Sequence, residues 1–128
     1  MFVKWKRGRD STRTAALVES VRTPAGPRHR HLCYLGTIWT GPGPTCLRRA
    51  EFREEAGRRL DAAGIDAAER DRVEAALDAA VPVPAAGEWD ADLADARRRQ
   101  AGGERYGRRY RIALAARFPV AEIGRAHV

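Results

Sequence analysis

His29, His31, Cys33 and Cys46 of this 128-residue chain fall close together in sequence and have types that could hold a metal ion. His29, His31 and Cys33 alternate along a β-forming run, so on a regular strand all three project from one face. Two imidazoles and two thiolates could complete a tetrahedral zinc site. The run has no Cys-x-x-Cys pair and no zinc-module His spacing, and Cys46 falls beyond a Gly/Pro loop. The expectation is therefore no metal and no other cofactor, with the histidines facing phosphate or solvent and Cys33 packed inside. Ser11, Ser20, Cys33 and Cys46 are candidate nucleophiles with His29 and His31 as bases, but no nucleophile elbow surrounds them. Gly41-Pro42-Gly43-Pro44 lacks the lysine of a phosphate-cradling loop, and its prolines remove amide donors. The acids of residues 51–78 are interleaved with arginines at short spacing, as on solvated helix faces. These patterns predict a protein without catalytic residues, not an enzyme.

The other chemistry is cationic. The net charge is +7 at pH 7, carried by 24 Lys and Arg against 17 Asp and Glu. Residues 1–50 hold ten Lys/Arg against Asp10 and Glu19, residues 51–101 eight Arg against thirteen acids, and residues 102–128 six Arg against two Glu. Only Lys4 and Lys6 are lysines; a GC-rich genome explains part of the arginine excess. A field of one sign confined to one segment favours a polyanionic partner for that segment. Lys4, Lys6, Arg7, Arg9 and Arg13 fall on a first strand and the loop after it. Arg28 and Arg30 share one face of a later strand, with His29 and His31 on the other. A small sheet so decorated can lie along phosphates or place strands in the major groove. Arginine supplies bidentate contacts to phosphate or guanine, while Trp5 and Tyr34 either stack on bases or pack. The competing reading is that these charges only keep an edge-rich sheet from aggregating.

The elements that must position these residues read as α+β. Residues 2–7 alternate and end in Gly8-Arg9-Asp10-Ser11, which is turn chemistry; residues 14–22 form a second strand. Thr23-Pro24-Ala25-Gly26-Pro27 turns the chain into a third strand over 28–38, with Gly36 a bulge or bend. Short turns make this an antiparallel meander, which needs a helix on one face. After the Gly/Pro break, Thr45 is a plausible N-cap, and Phe52, Ala56, Leu60 and Ala63 recur at helical spacing until Gly64. Asp66 as N-cap and Glu69 at N3 open a second helix with the stripe Val73, Ala76, Leu77, Ala80 and Val81, ended by Pro82. The expected organisation is a sheet and helical-hairpin domain over 1–81 and a Pro-rich linker over 82–87. A third helix follows over 88–101, with Trp89, Leu93 and Ala96 on one face. Residues 102–121 form an Arg-rich, poorly ordered tail with no assigned element.

Hydrophobic residues make up 44% of the chain, but 24 of them are alanine, so the core is thin. No apolar run reaches the ~18 residues of a membrane span. Met1 to Asp10 is basic with no apolar stretch behind it, unlike a secretory signal. Two cysteines are too few for a disulfide scaffold and read as reduced thiols. These features predict a cytoplasmic location and no membrane partner.

The opening Met1-Phe2-Val3-Lys4-Trp5, the strand Ala16-Leu17-Val18-Glu19-Ser20-Val21-Arg22, and Pro27-Arg28-His29-Arg30-His31 leading into Tyr34-Leu35-Gly36-Thr37-Ile38 resemble a family of small, uncharacterised bacterial proteins. The same order is similar to the N-terminal segment of DDE-class insertion-sequence transposases, which precedes an RNase H-like catalytic domain. The motifs cover residues 1–40, and for the stand-alone family extend more loosely to Pro82-Val83-Pro84. The resemblance implies DNA binding. No Asp/Asp/Glu catalytic core follows, so the chain reads either as a free-standing relative of that segment or as a truncated transposase fragment; the Val-Pro-x-Pro linker favours the former. Glu122-Ile123-Gly124-Arg125-Ala126-His127-Val128 looks like a translated sequencing adapter, which would place the natural C-terminus elsewhere. The resulting expectation is a non-enzymatic nucleic-acid-binding module, with DNA as the partner, contacted by Lys4, Lys6, Arg7, Arg9, Arg13, Arg28, His29, Arg30 and His31. The alternative is a protein-interaction module in which a partner covers the sheet.

Overall fold

Three strands and four helices make up the α+β architecture of the computed structural model, which describes residues 1–118. They divide into two compact units: Met1–Pro42 with Arg48–Val83, and Gly43–Leu47 with the chain from Pro84 onward.

The first unit is the meander with its helical hairpin. Strands β1 (Phe2–Arg7), β2 (Thr12–Thr23) and β3 (Gly26–Trp39) pair antiparallel in chain order. Asp10 and Ser11 both adopt left-handed backbone (φ 56° and 60°) in the β1–β2 turn, and the Thr12 amide donates to Arg9 O at 3.2 Å. Two left-handed central residues match the right-handed twist of the flanking strands. The sheet begins β2 at Thr12, so Arg13 lies in a strand, paired with Arg7, and not in the loop expected from sequence.

Helices α1 (Cys46–Ala63) and α2 (Ala67–Ala80) cover one sheet face. Ala15, Leu17, Leu35 and Ile38 of the sheet bury against Phe52, Ala56 and Leu60 of α1 and against Val73 and Leu77 of α2, with Val81 just beyond. Gly64 (φ +65°) ends α1, and the Asp66 carboxylate accepts the Glu69 amide at 2.8 Å, as the capping box predicts. Arg53, with 9% of its side chain exposed, clasps the two helices by donating to Glu74 at 2.6 Å and to Asp78 at 2.5 Å.

Two irregularities in β3 decide which residues face the helices. Ala15 pairs with Gly36 but Ala16 with Tyr34, and Leu17 pairs with Cys33 but Val18 with His31, so Leu35 and Leu32 are each one residue extra. The first bulge turns Leu35 into the core beside Gly36, where any side chain would press on Phe52. The second separates Cys33 from His31. Cys33 opposes buried Leu17 and packs on the core, while His31 opposes Val18, the next residue of β2 and thus of the other face. The expectation that His29, His31 and Cys33 share one face is corrected by that extra residue.

The second unit contains α3 (Ala86–Ala101) and α4 (Arg108–Arg117). Leu93 and Ala96 of α3 bury against Leu114 of α4, flanked by Trp89, Tyr106, Tyr110 and Phe118. Helix α3 starts inside the segment read as linker, because the Glu88 carboxylate accepts the Ala85 amide at 3.2 Å and closes its first turn. Helix α4 occupies part of the segment to which no element was assigned. Within this unit Asp92 accepts the amides of Thr45 at 2.7 Å and Cys46 at 3.2 Å, with the Tyr110 hydroxyl donating to its other oxygen at 3.2 Å. The end of the Arg-rich tail from residue 119, and the adapter-like heptapeptide, lie outside the described residues.

Candidate nucleic-acid interface

The first unit separates its charges by element. On the helices, arginines meet carboxylates: Arg58 and Arg59 hold Glu55, Arg70 bridges Asp61 and Glu74, and Arg72 holds Glu69. The two arginine hydrogen bonds pull the Glu55 carboxyl below its ordinary range. The sheet differs. Among the described residues, Lys6, Arg7, Arg9, Arg13, Arg22 and Arg28 have no carboxylate partner, and only Arg30 has one, Glu19 directly across the ladder. Lys4 meets His29 Nδ1 at 3.4 Å.

The register distributes these side chains over three places. Beyond Phe2↔Val18, where β1 ends, β2 and β3 continue alone for five further pairs, from Glu19↔Arg30 to Thr23↔Gly26. This two-stranded ribbon carries Arg22, Arg28, His29 and Arg30, all exposed, with exposed His31 at its base. Arg28 and Arg30 oppose Val21 and Glu19 on one face, and His29 opposes Ser20 on the other, the division expected from alternation. The face away from the helices bears Lys4 and Lys6, with the Phe2 ring edge-on to His29 at 5.2 Å. Arg7, Arg9 and Arg13 sit at the opposite end of the sheet, roughly 26 Å from Arg28 by strand rise along β2. The structure therefore brings His29, Arg28, Arg30 and His31 together, continues them through Lys4 and Lys6, and leaves Arg7, Arg9 and Arg13 as a separate group.

Sequence reasoning passed over Arg22, which shares the ribbon with Arg28; the signal was its place at the end of a run closing in a Pro/Gly turn. It left Trp5 and Tyr34 open between stacking and packing. Trp5 stacks on Phe52 at 5.5 Å with the Arg13 guanidinium 4.8 Å over its ring, so its face is taken. Tyr34 is 37% exposed and hydrogen-bonds Thr37 at 2.8 Å.

Burial pushes the Cys33 thiol up, against the opposing pull of Arg59. Among the described residues, no three His, Cys, Asp or Glu side chains converge as metal ligands. No helix among them is long and apolar enough to cross a membrane.

No protein-family model, curated protein or solved structure matches this chain.

Proposed function

We propose that this chain is a non-enzymatic DNA-binding module whose β2–β3 ribbon enters the major groove while Lys4 and Lys6 follow the adjoining phosphates. The observation that carries the reading is the contrast between the helix arginines Arg53, Arg58, Arg59, Arg70 and Arg72, each held by a carboxylate, and the sheet cations, of which only Arg30 has such a partner among the described residues. A cation with no internal partner keeps its full charge for an external anion. The ribbon supplies the shape, because the major groove admits a two-stranded β-ribbon and both of its faces then meet groove walls. Arg28 and Arg30 would contact phosphate or guanine, with His29 and His31 on the opposite wall. The likeness of residues 1–40 to transposase N-terminal segments points to the same partner. A cytoplasmic location, with both thiols reduced, belongs to this reading.

The test is fluorescence anisotropy of the whole chain with a labelled duplex and the matching single strand over a salt series. Duplex affinity should fall steeply with salt, and Arg22→Ala/Arg28→Ala, which removes two ribbon cations without carboxylate partners, should reduce the log–log slope by about 2. The paired helix arginines provide the control: Arg58→Ala/Arg72→Ala should leave the slope within about 0.5 of wild type. Absence of binding at low salt would overturn the proposal and favour a protein partner on the sheet. A stronger preference for the single strand would overturn groove insertion.

A further inference from the structure

At the end of the sheet remote from the ribbon, Arg7 and Arg13 are Cα partners across β1 and β2, so their side chains leave the same face of the sheet. Like charges directly opposite on neighbouring strands are destabilising, and neither guanidinium has a carboxylate partner among the described residues. The pair borders a cavity of about 610 Å³ lined by Trp5, Arg7, Gly8, Ser11, Thr12, Arg13 and Thr40. Asp10, the acid of the adjoining turn, is not part of the lining.

The cavity is built from fixed parts. Arg13 lies 4.8 Å over the Trp5 ring, which itself stacks on buried Phe52. The hydroxyls of Thr12 and Thr40 donate to Arg9 O and Ser11 O, each at 2.7 Å, so they brace the turn. The Thr40 amide donates to the same Ser11 carbonyl at 2.6 Å. Arg7, Ser11 and Arg13 line the cavity with side-chain donors that have no hydrogen-bond partner among the described residues. A guanidinium already immobilised on an indole loses little freedom when it takes up an anion.

We infer that this cavity binds a terminal phosphate of a nucleic-acid strand, the phosphomonoester bridging Arg7 and Arg13 and relieving their repulsion. A monoester carries about −1.5 to −2 at neutral pH and three acceptor oxygens, which matches two arginines lining one cavity. An internal diester carries a single charge and continues in both directions, whereas a pocket suits a chain end. The inference rests on the nucleic-acid reading and adds a strand-end site to it.

The experiment compares one oligonucleotide, internally labelled, with phosphate at both ends or at neither, bound to the whole chain. The phosphorylated form should bind about tenfold tighter, and Arg13→Gln should bring the affinity ratio to one. Arg7→Glu provides a second readout: it should raise the melting temperature in phosphate-free buffer, by replacing a repulsive pair with an attractive one, and also abolish the ratio. Equal binding of the two oligonucleotides would overturn the strand-end site while leaving the DNA-binding proposal standing. Failure of both to bind at low salt would overturn that proposal and this site with it. Competition by a free nucleoside monophosphate as strong as by the phosphorylated strand would assign the cavity to mononucleotides and overturn the inference. A lowered melting temperature for Arg7→Glu would refute the like-charge argument.

Discussion

Replacing Gly36 by alanine tests how the sheet seats its helices. Gly36 has φ +154°, and a Cβ there would stand 3.2 Å from two ring carbons of Phe52. The ring has little room to retreat, being buried and stacked on Trp5 at 5.5 Å. Overpacking costs about 1–3 kcal/mol, and a backbone conformation unfavourable to L side chains about another 1–3. The reduced freedom of the unfolded alanine chain returns about 0.5–1 kcal/mol. The expected net loss is about 1–5.5 kcal/mol, centred near 3. Gly64→Ala is the control: its φ is also positive, at +65°, but nothing lies within 4 Å of the added carbon, so it should lose only about 1 kcal/mol. Urea unfolding would be followed by tryptophan fluorescence in a Trp89→Phe background, so that Trp5 and Trp39 of the first unit report. A loss for Gly36→Ala no larger than for Gly64→Ala would refute the packing argument.

Ser11→Gly should stabilise the first unit by about 1 kcal/mol, because Ser11 sits at φ 60° in a two-residue hairpin turn; an unchanged or lower urea midpoint would contradict this. Arg53→Ala should cost about 2 kcal/mol, since it strips a nearly buried clasp from Glu74 and Asp78, and Asp78→Ala should cost much less because that carboxylate is largely exposed; equal losses in thermal melts would contradict the assignment. Tyr106 is pushed up to about 12, first by burial and then by its hydrogen bond to Glu104. Its phenolate should therefore form well above the ordinary tyrosine range, and Glu104→Gln should move that transition to lower pH. A Tyr106 transition left unmoved by Glu104→Gln would refute that environment.

Much of the first unit was legible because its signals are local. The Asp66–Glu69 box, the stop at Gly64 and the stripe Phe52, Ala56, Leu60 depend on residues within a few turns of one another. The turn at Thr23–Gly26 is of the same kind. Helix α4 was not legible, since Gly107 offers no capping side chain and Arg108, Arg109 and Arg111 give its first turn like charges. Its signal was the four-residue spacing of Tyr106, Tyr110, Leu114 and Phe118, a stripe that makes sense only against α3. The grouping of the site also escaped local reading. Lys4, Arg7, Arg13 and Arg30 formed one basic head in sequence, yet register places them on two faces and at opposite ends of the sheet.

By itself the amino-acid sequence determined the α+β class, the meander with its helical hairpin, and a basic sheet beside acidic helices, because periodicity, turn chemistry and charge are properties of neighbouring residues. Only the tertiary structure decided which cations have partners, that β2 and β3 outrun β1 as a ribbon, and that Arg7 opposes Arg13. It also decided that Cys33 turns inward while His31 turns out. The physical reason is that strand register and bulges are set by how side chains distant in the chain fill one core, and a single extra residue moves every following side chain to the other face.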